Sequence, residues 1–416
     1  MSPLFLVTAA LAAQATQGGT PPPATSEPGA ARARTAGQST YVDVEGGVGY
    51  STNPQLSISS DRGSADGRIS LHGVHRRVSE RSTTVLSAYA EEIGYTKHYG
   101  SQQSLSFDAR HDSAVSEKLR IFGDVSAAYD KGGQLDTRIL GVPNVPLLPG
   151  TNLPPQLLLP GSDFLSVTGR EYRFSAHGGA QLSLSPRDSA TISSGVDRVV
   201  FKGRASDNSY WTIPASLAYD RQLNPHATIG ARVLATDTEY KGPGSVRTIT
   251  PQLTGRVLLS ERFTLGGAIG VSFSRIDDGV STRRSTGASA EANLCSQGER
   301  SQLCARAFVD QQTATVAGPA KSVGGSFDYS NRLDADSTIQ FSLGASHYSA
   351  PISVISGRTF SSSTYYRGAA VYTRRISDRW FGGVNLSGRK LSQRGPDPKA
   401  DLSGSLFIRY RFGDVQ

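Results

Sequence analysis

Near its C-terminus the chain reads Gly404-Ser405-Leu406-Phe407-Ile408-Arg409-Tyr410-Arg411-Phe412. Successive side chains of a β-strand point to opposite faces. One face of this stretch would therefore be apolar, with Leu406, Ile408, Tyr410 and Phe412. The other face would carry Ser405, Arg409 and Arg411, with Phe407 as the exception. An apolar face backed by arginines suits a wall between lipid and water.

The same alternation recurs in segments of about ten residues from Tyr41 onward, a spacing typical of transmembrane β-barrels. In one such segment, Leu105, Phe107 and Ala109 alternate with Ser106, Asp108 and Arg110. After the N-terminus no apolar run reaches about 18 residues, which excludes a membrane-spanning helix. The repetition of the pattern, more than any single segment, indicates a barrel.

Short, similar turn sequences alternate with longer connections that are rich in glycine. Arg76-Arg77-Val78-Ser79-Glu80-Arg81 recurs as Arg374-Arg375-Ile376-Ser377-Asp378-Arg379. Ser185-Pro186-Arg187-Asp188 and Ser260-Glu261-Arg262 fill the same role, since Ser, Asp and Pro favour turns. A water-soluble β-sandwich is the competing fold, but its Greek-key connections would not alternate between short and long.

We therefore predict an all-β fold: a transmembrane antiparallel up-and-down β-barrel of about 18 strands (16–18), with short periplasmic turns and longer extracellular loops. The barrel would occupy residues 40–416, and the terminal strand would close against the strand that begins near Tyr41. Phe412 would lie at the periplasmic end.

The N-terminus resembles a secretory signal. Residues 1–15 contain a short apolar stretch that ends in Ala13-Gln14-Ala15, which fits a small-residue cleavage site. Residues 16–39 are rich in Pro, Gly, Ala and Thr, and such a segment is expected to be a disordered leader. The signal predicts export across the inner membrane and integration into the cell outer membrane.

Composition narrows the possible partners. The net charge is +8, but the basic residues are scattered, without a concentrated tract, which argues against nucleic-acid binding. The only cysteines, Cys295 and Cys304, flank a polar turn and fall on the inward face of two adjoining strands. We predict a disulfide between them, which implies an oxidising compartment; neither Cys-x-x-Cys nor a nearby His pair supports zinc.

If the apolar face points outward, the other face lines the lumen. The charged residues that we place there are Arg110, Arg120, Arg173, Arg232, Arg256, Arg306, Arg389, Arg409, Arg411, Asp108, Asp124, Glu171, Glu291, Asp310 and Asp328, together with Asp43, Glu45, Arg68 and Asp197. They can brace the wall as an ion-pair lattice or form a charged permeation path, and the two roles are compatible. The arginines suggest anionic or hydroxyl-rich solutes.

Residues 131–168 form the longest connection, with six prolines among many leucines, and could be a constriction, a lid or a contact patch. The chain lacks a Gly-x-Ser-x-Gly elbow, a His-Glu-x-x-His motif and a Walker A loop. We therefore predict no enzymatic activity, no catalytic or metal-binding residue and no cofactor.

The stretch Val44-Glu45-Gly46-Gly47-Val48-Gly49-Tyr50-Ser51-Thr52-Asn53-Pro54 resembles the opening strand and loop of an outer-membrane β-barrel (porin-like) family of Gram-negative bacteria. The terminal Arg409-Tyr410-Arg411-Phe412 and the repeated turns look like this family as well. Its members are often associated with exopolysaccharide synthesis and export. The resemblance implies an export or surface-assembly role, and brings no catalytic residues.

Three functions therefore remain open: a polysaccharide-export channel, a general diffusion porin for small polar or anionic solutes, and a non-conducting structural or assembly barrel. A barrel-borne hydrolase is the least favoured. The expected partners are outer-membrane lipid and lipopolysaccharide, the barrel-assembly machinery, and exopolysaccharide with its export proteins.

Overall fold

The computed structural model describes residues 37–54, 56, 63–97, 99–131, 170–202, 209–242, 244–314, 318–349, 362–393 and 399–414. The predicted signal at residues 1–15, most of the predicted leader at 16–39 and the proline-rich connection after Lys131 lie outside these ranges. Within them every regular element is a strand, and no helix could cross a membrane.

Eighteen antiparallel strands form one closed sheet, in which each strand pairs with its neighbours in the chain. The last strand pairs with the first, from Tyr41 opposite Gly413 to Ser51 opposite Ser403. The predicted closed antiparallel up-and-down barrel is thus confirmed. The strands are β1 Gly37–Ser51, β2 Ser64–Val78, β3 Ser82–Tyr95, β4 Ser101–Ala114, β5 Leu119–Lys131, β6 Arg170–Ser183, β7 Asp188–Lys202, β8 Tyr210–Asn224, β9 Ala227–Tyr240, β10 Ser245–Leu258, β11 Phe263–Asp277, β12 Thr282–Gln297, β13 Ser301–Ala314, β14 Gly318–Arg332, β15 Ser337–Tyr348, β16 Ser363–Arg375, β17 Trp380–Gln393 and β18 Asp401–Gly413.

The barrel begins at Gly37, three residues before the predicted boundary at residue 40. The long strand β2 extends the sheet there, because Gly37 pairs with Val78 at its last residue. The carboxylate of Asp414 accepts a hydrogen bond from the backbone N–H of Thr40 at 2.6 Å. Residues 37–39, which were predicted as the end of the leader, therefore belong to the first strand.

Four of the short turns after the even-numbered strands share one chemical device, a serine hydroxyl that accepts backbone N–H groups, while Asn224 and Asp334 accept in the same way in two others. Ser116 accepts from Lys118 and Leu119, at 3.3 and 3.1 Å. Ser185 and Ser260 accept in the same way from the two residues that reopen the chain into the next strand. This side-chain bond replaces part of the sheet ladder at the turn, and explains why the turn sequences resemble one another.

The opposite end of the barrel, here called the loop end, carries the connections after the odd-numbered strands. They are long at residues 52–63, 132–169 and 349–362. The predicted contrast with the turns fails at residues 241–244, 278–281 and 315–317, which are as short as the turns. Hairpins close equally well with few residues at either end. The connections at the loop end, here called the rim, are therefore short in sequence between β9 and β14.

The outer surface is a belt of exposed apolar side chains. Leu253 and Ile269 are each 67% exposed, and Ile192 and Leu406 about 60%. Exposed aromatic residues lie near both ends of the belt, with Trp380 and Phe412 at the turn end and Tyr50 and Trp211 at the loop end. An apolar band between two aromatic girdles is the exterior that a lipid bilayer selects.

The interior is polar, with small apolar clusters only. Asp43, Ser272, Thr238 and Ser322 are among its most completely buried side chains. Phe407, the exception in the terminal strand, points inward and its ring lies over Gly383 on β17. Phe122 over Gly179 and Phe308 over Gly324 repeat this arrangement. An inward phenylalanine thus covers backbone that a neighbouring glycine would leave open.

Replacing Ile269 by Lys should lower the free energy of unfolding in lipid by about 2–4 kcal/mol, because Ile269 lies midway along the outward face of β11. Urea unfolding of the barrel in vesicles, followed by tryptophan fluorescence, would measure the change. Ala268→Lys is the matched control, since Ala268 is the neighbour of Ile269 and points inward opposite Glu291. Equal losses in both variants would contradict the assignment of the outer face.

Candidate functional site

The register places all the charged residues predicted for the lumen on the inward face. Asp43 lies opposite Arg411 and His72, Asp124 opposite Arg110 and His177, and Glu291 opposite Ala268 and Phe308. Arg256 has the inward parity as well, but it is exposed near the turn end. The candidate site is therefore the inner wall.

Two ion pairs brace the seam between β1 and β18. Arg411 donates to both carboxylate oxygens of Asp43, at 2.7 and 2.8 Å. Arg409 donates from Nε and Nη2 to one oxygen of Glu45, at 3.0 and 2.7 Å. The first pair is nearly enclosed, since the side chains of Arg411 and Asp43 are 13% and 1% exposed. The planar guanidinium fork makes such pairs directional, so they reinforce the register of closure.

At the loop end, Asp401 at the start of β18 gathers groups from three parts of the chain. It accepts a hydrogen bond from the hydroxyl of Ser51 at 2.6 Å and one from the backbone N–H of Asn53 at 3.0 Å. Arg389 on β17 donates to Asp401 at 2.7 Å and to the carbonyl of Pro54 at 2.9 Å. Asn53 and Pro54, singled out by the sequence, thus fasten the first loop over the seam.

A second network spans β9 to β13. Arg306 donates to Glu291 at 2.8 Å, and the guanidinium of Arg232 lies 3.5 Å from the other oxygen of that carboxylate. Arg232 also bonds Gln252, whose amide donates to Ser289 at 2.7 Å. Gly270 lies in register between Gln252 and Ser289, and having no side chain it lets Gln252 reach across β11. One carboxylate is therefore the shared counterion of two arginines.

His177 on β6 bridges two carboxylates. Its Nδ1 lies 3.2 Å from Asp124 on β5, and its Nε2 lies 3.1 Å from Asp197 on β7. Only the imidazolium donates from both nitrogens, so this geometry fits a charged histidine. Across the described ranges, no group of three or more His, Cys, Asp or Glu side chains is arranged to hold a metal ion.

The wall from β7 to β11 is different, because hydroxyl pairs replace ion pairs along much of it. Ser193 pairs with Ser216 at 2.7 Å and Thr212 with Thr238 at 2.9 Å. Further round, Thr248 contacts Ser274 and Thr250 contacts Ser272, each at 2.9 Å. These cross-strand hydroxyl bonds support the sheet and give one sector of the lumen a hydroxyl-rich lining.

Most inward arginines lie within 4 Å of a carboxylate, and these are Arg68, Arg120, Arg173, Arg232, Arg306, Arg389, Arg409 and Arg411. The sequence suggested a preference for anionic or hydroxyl-rich solutes from these arginines, and it offered an ion-pair lattice as their other role. Pairing cancels much of their field at a distance, so selection for anions is weaker than the sequence suggested.

The remaining predicted residues have looser surroundings. Asp108 lies near Arg110 and Asp328 near Arg367, and the hydroxyl of Ser272 contacts Asp310 at 3.5 Å. Glu171 binds Arg173 two residues along the same face of β6. These groups line the same wall without the tight bidentate geometry of the seam.

Cys295 and Cys304 lie directly opposite each other on β12 and β13, with Cα atoms 4.1 Å apart, and a disulfide joins them. The bond closes the hairpin around residues 298–300. Its position near the turn end makes it a staple of the inner wall, with Asp328 as the inward neighbour on β14.

The sequence analysis missed several inward charges, namely Asp66, Glu91, Asp112, Asp130, Arg367 and Asp401. Asp112 bonds Arg120 at 2.7 Å, and it shares the parity of Asp108 and Arg110 on the same strand. Continuing the alternation to the strand ends would have found Asp112 and Asp401. Their partners could not have been read from parity alone.

A scan of protein-family models and a search of curated proteins find no match to this chain. Among solved structures, OccK2 (OpdF) of Pseudomonas aeruginosa in complex with glucuronate is similar at 9% identity and a TM-score of 0.44, over 90% of this chain and 98% of that one. A BenF-like porin of Pseudomonas fluorescens Pf-5 is similar at 9% identity and a TM-score of 0.44, over 91% and 99%.

The siderophore receptor PirA of Acinetobacter baumannii is similar at 7% identity and a TM-score of 0.43, over 91% of this chain and 81% of that one. Identities and TM-scores this low carry no argument about what this chain binds. What this chain is follows from its own strands: a closed, 18-stranded antiparallel β-barrel with an apolar exterior and a polar interior.

Replacing Asp43 by Asn should destabilise the barrel by roughly 3 kcal/mol, because Arg411 would remain as an enclosed charge without its counterion. The temperature at which the folded barrel loses its fast gel mobility would fall. Adding Arg411→Gln should restore part of the loss in a double-mutant cycle. Asp378→Asn, in an exposed turn, is the control; an equal effect there would argue against the seam pair.

Replacing Glu291 by Gln should make the inner wall more positive, since Arg232 and Arg306 would lose their shared counterion. If the barrel conducts, its reversal potential in a salt gradient should shift toward anion selectivity. Asp237→Asn removes the same charge from the outward face of β9 and should leave the reversal potential unchanged. A shift of equal size in both variants would contradict a lumen position for Glu291.

Proposed function

We propose that this chain is an outer-membrane channel with a porin-like barrel. The observation that carries the proposal is the closed 18-stranded barrel whose exposed belt is apolar while its inner wall is mainly polar. Closed barrels are the β-structures that satisfy every backbone hydrogen bond in lipid. At this strand number, barrels are wide enough to enclose an aqueous path.

The inner wall favours hydroxyl-rich solutes over free anions. Its arginines are mostly paired, whereas the β7–β11 sector is lined by serine and threonine side chains, of which Thr212 and Ser216 are only half-buried. Hydroxyls both donate and accept, as sugar hydroxyls do. Within the channel proposal we therefore place exopolysaccharide export or surface assembly first, in keeping with the resemblance of residues 44–54 to a family associated with that process.

Two alternatives remain within the same fold. A general diffusion porin would need the same wall without any preference for polymer. A non-conducting structural or assembly barrel would use the lattice of ion pairs for bracing alone, and the loop-end fastening of Asn53 to Asp401 is compatible with that role. In each of these roles the chain is not an enzyme.

Purified barrel inserted into a planar lipid bilayer should give discrete conductance steps, and soluble polysaccharide should block them in a size-dependent manner. Small sugars that pass without block would support the diffusion-porin alternative. Absence of steps at every voltage, from protein that shows a heat-modifiable gel mobility, would reject both channel functions and leave the structural barrel. Loss of secreted polymer on deletion of the gene would test the export role in cells.

A further inference from the structure

Three arginines lie in one line on the outer face of the barrel, at the loop end. In the register, Arg247 on β10 is opposite Arg275 on β11, and Arg275 is opposite Arg284 on β12. All three side chains are exposed on the lipid-facing parity. We call Arg247, Arg275 and Arg284 the arginine row.

The arginine row places positive charges directly opposite one another on neighbouring strands, an arrangement that destabilises a sheet. Directly opposite residues have Cβ atoms about 5 Å apart, and like charges at this distance repel. Arg247 is neutralised by Asp237, its other register neighbour, at 2.9 Å. In the part of the chain that the structure describes, the guanidinium groups of Arg275 and Arg284 have neither an ion pair nor a hydrogen bond. Two adjacent cations are therefore left facing outward.

The carboxylates nearest in the chain are engaged elsewhere. Asp277 accepts the N–H of Gly279 at 2.9 Å and the hydroxyl of Thr282 at 3.4 Å. Backbone N–H groups of Ser281 and Val280 lower the pKa of Asp278 to about 2. Asp278 also binds Arg283, the inward neighbour of Arg284, at 3.0 Å. Asp277 and Asp278 are thus bonded within the turn and to Arg283, and neither pairs with Arg275 or Arg284.

The level of the row matches a headgroup region. One step below it on the outer face, Ile249 and Phe273 lie opposite each other, 53% and 52% exposed. The apolar belt continues downward through Val271, Leu253 and Ile269. Above the row, residues 241–244 and 278–281 connect the strands with only four residues each. Cations therefore stand directly above apolar surface, where the rim is short in sequence.

We propose that Arg275 and Arg284, supported by Arg247, bind the phosphate of a phosphorylated glycolipid in the outer leaflet. The acyl chains would lie along Ile249 and Phe273, and the phosphate would occupy the position between the two unpaired guanidinium groups. Arginine forks bind phosphate oxygens bidentately. This site rests on the proposed outer-membrane location, but it is independent of whether the lumen conducts.

The test uses the double variant Arg275→Gln/Arg284→Gln in the full chain. The control is Arg198→Gln/Arg262→Gln, which removes the same charge from one lone outward arginine, opposite Phe174 and Trp211, and one exposed arginine in a turn at the opposite end of the barrel. Binding of purified lipopolysaccharide to detergent-folded barrel should weaken about tenfold in the row variant and less than twofold in the control. Heat-modifiable gel mobility would verify that both variants fold.

The probes separate the possible ligands. Enzymatically dephosphorylated lipopolysaccharide should bind the unaltered barrel as weakly as intact lipopolysaccharide binds the row variant. Phosphatidylglycerol bound as tightly as lipopolysaccharide, with the same loss in the row variant, would overturn the assignment to a glycolipid. Displacement by millimolar inorganic phosphate alone would overturn a lipid site, and equal losses in row and control variants would show unspecific attraction. If the barrel binds lipopolysaccharide but gives no conductance, the channel function is rejected and the lipid site stands.

Discussion

The pairing of β1 with β18 is the constraint on which the rest of this structure depends. An open sheet would present two rows of unpaired backbone N–H and C=O groups, and each such group costs several kcal/mol in hydrocarbon. Closure removes both edges at once. The ion pairs of Asp43 with Arg411 and Glu45 with Arg409 then strengthen the register, because a slip of one residue would turn both carboxylates toward lipid.

Closure also explains why the polarity is inverted relative to a water-soluble protein. Once the apolar parity faces lipid, every other residue must point into the barrel, and each charge there requires a partner. Glu291 meets that requirement for Arg232 and Arg306, and the carboxylates Asp124 and Asp197 meet it for His177. Bracing and lining are consequently functions of the same side chains. Along much of the sector from β7 to β11, paired serine and threonine hydroxyls line the wall, and these need no counterion.

Local interactions could be predicted from the sequence, whereas contacts between strands could not. The turns were recognisable, because a serine hydroxyl bonding N–H groups two or three residues later is a local device, as at Ser185 and Ser260. Phe407 looked like a flaw in the terminal strand, and its reason, Gly383 on the adjacent strand, appears only in the sheet. The arginines were placed on the correct face, with an ion-pair lattice as one expected role, but Asp112 and Asp401 at the strand ends were overlooked as partners of Arg120 and Arg389.

The sequence by itself determined the strands and their two faces, because these follow from a period of two residues. It also determined the antiparallel order and the proximity of Cys295 to Cys304, because these follow from short turns. Only the tertiary structure decided which charges meet. Asp401 lies almost the whole chain away from Ser51 and Asn53, and it meets them because the barrel closes. Arg275 meets Arg284 because the β11–β12 register sets them opposite each other. Parity is local, whereas partners depend on register and closure, and these are properties of the whole sheet.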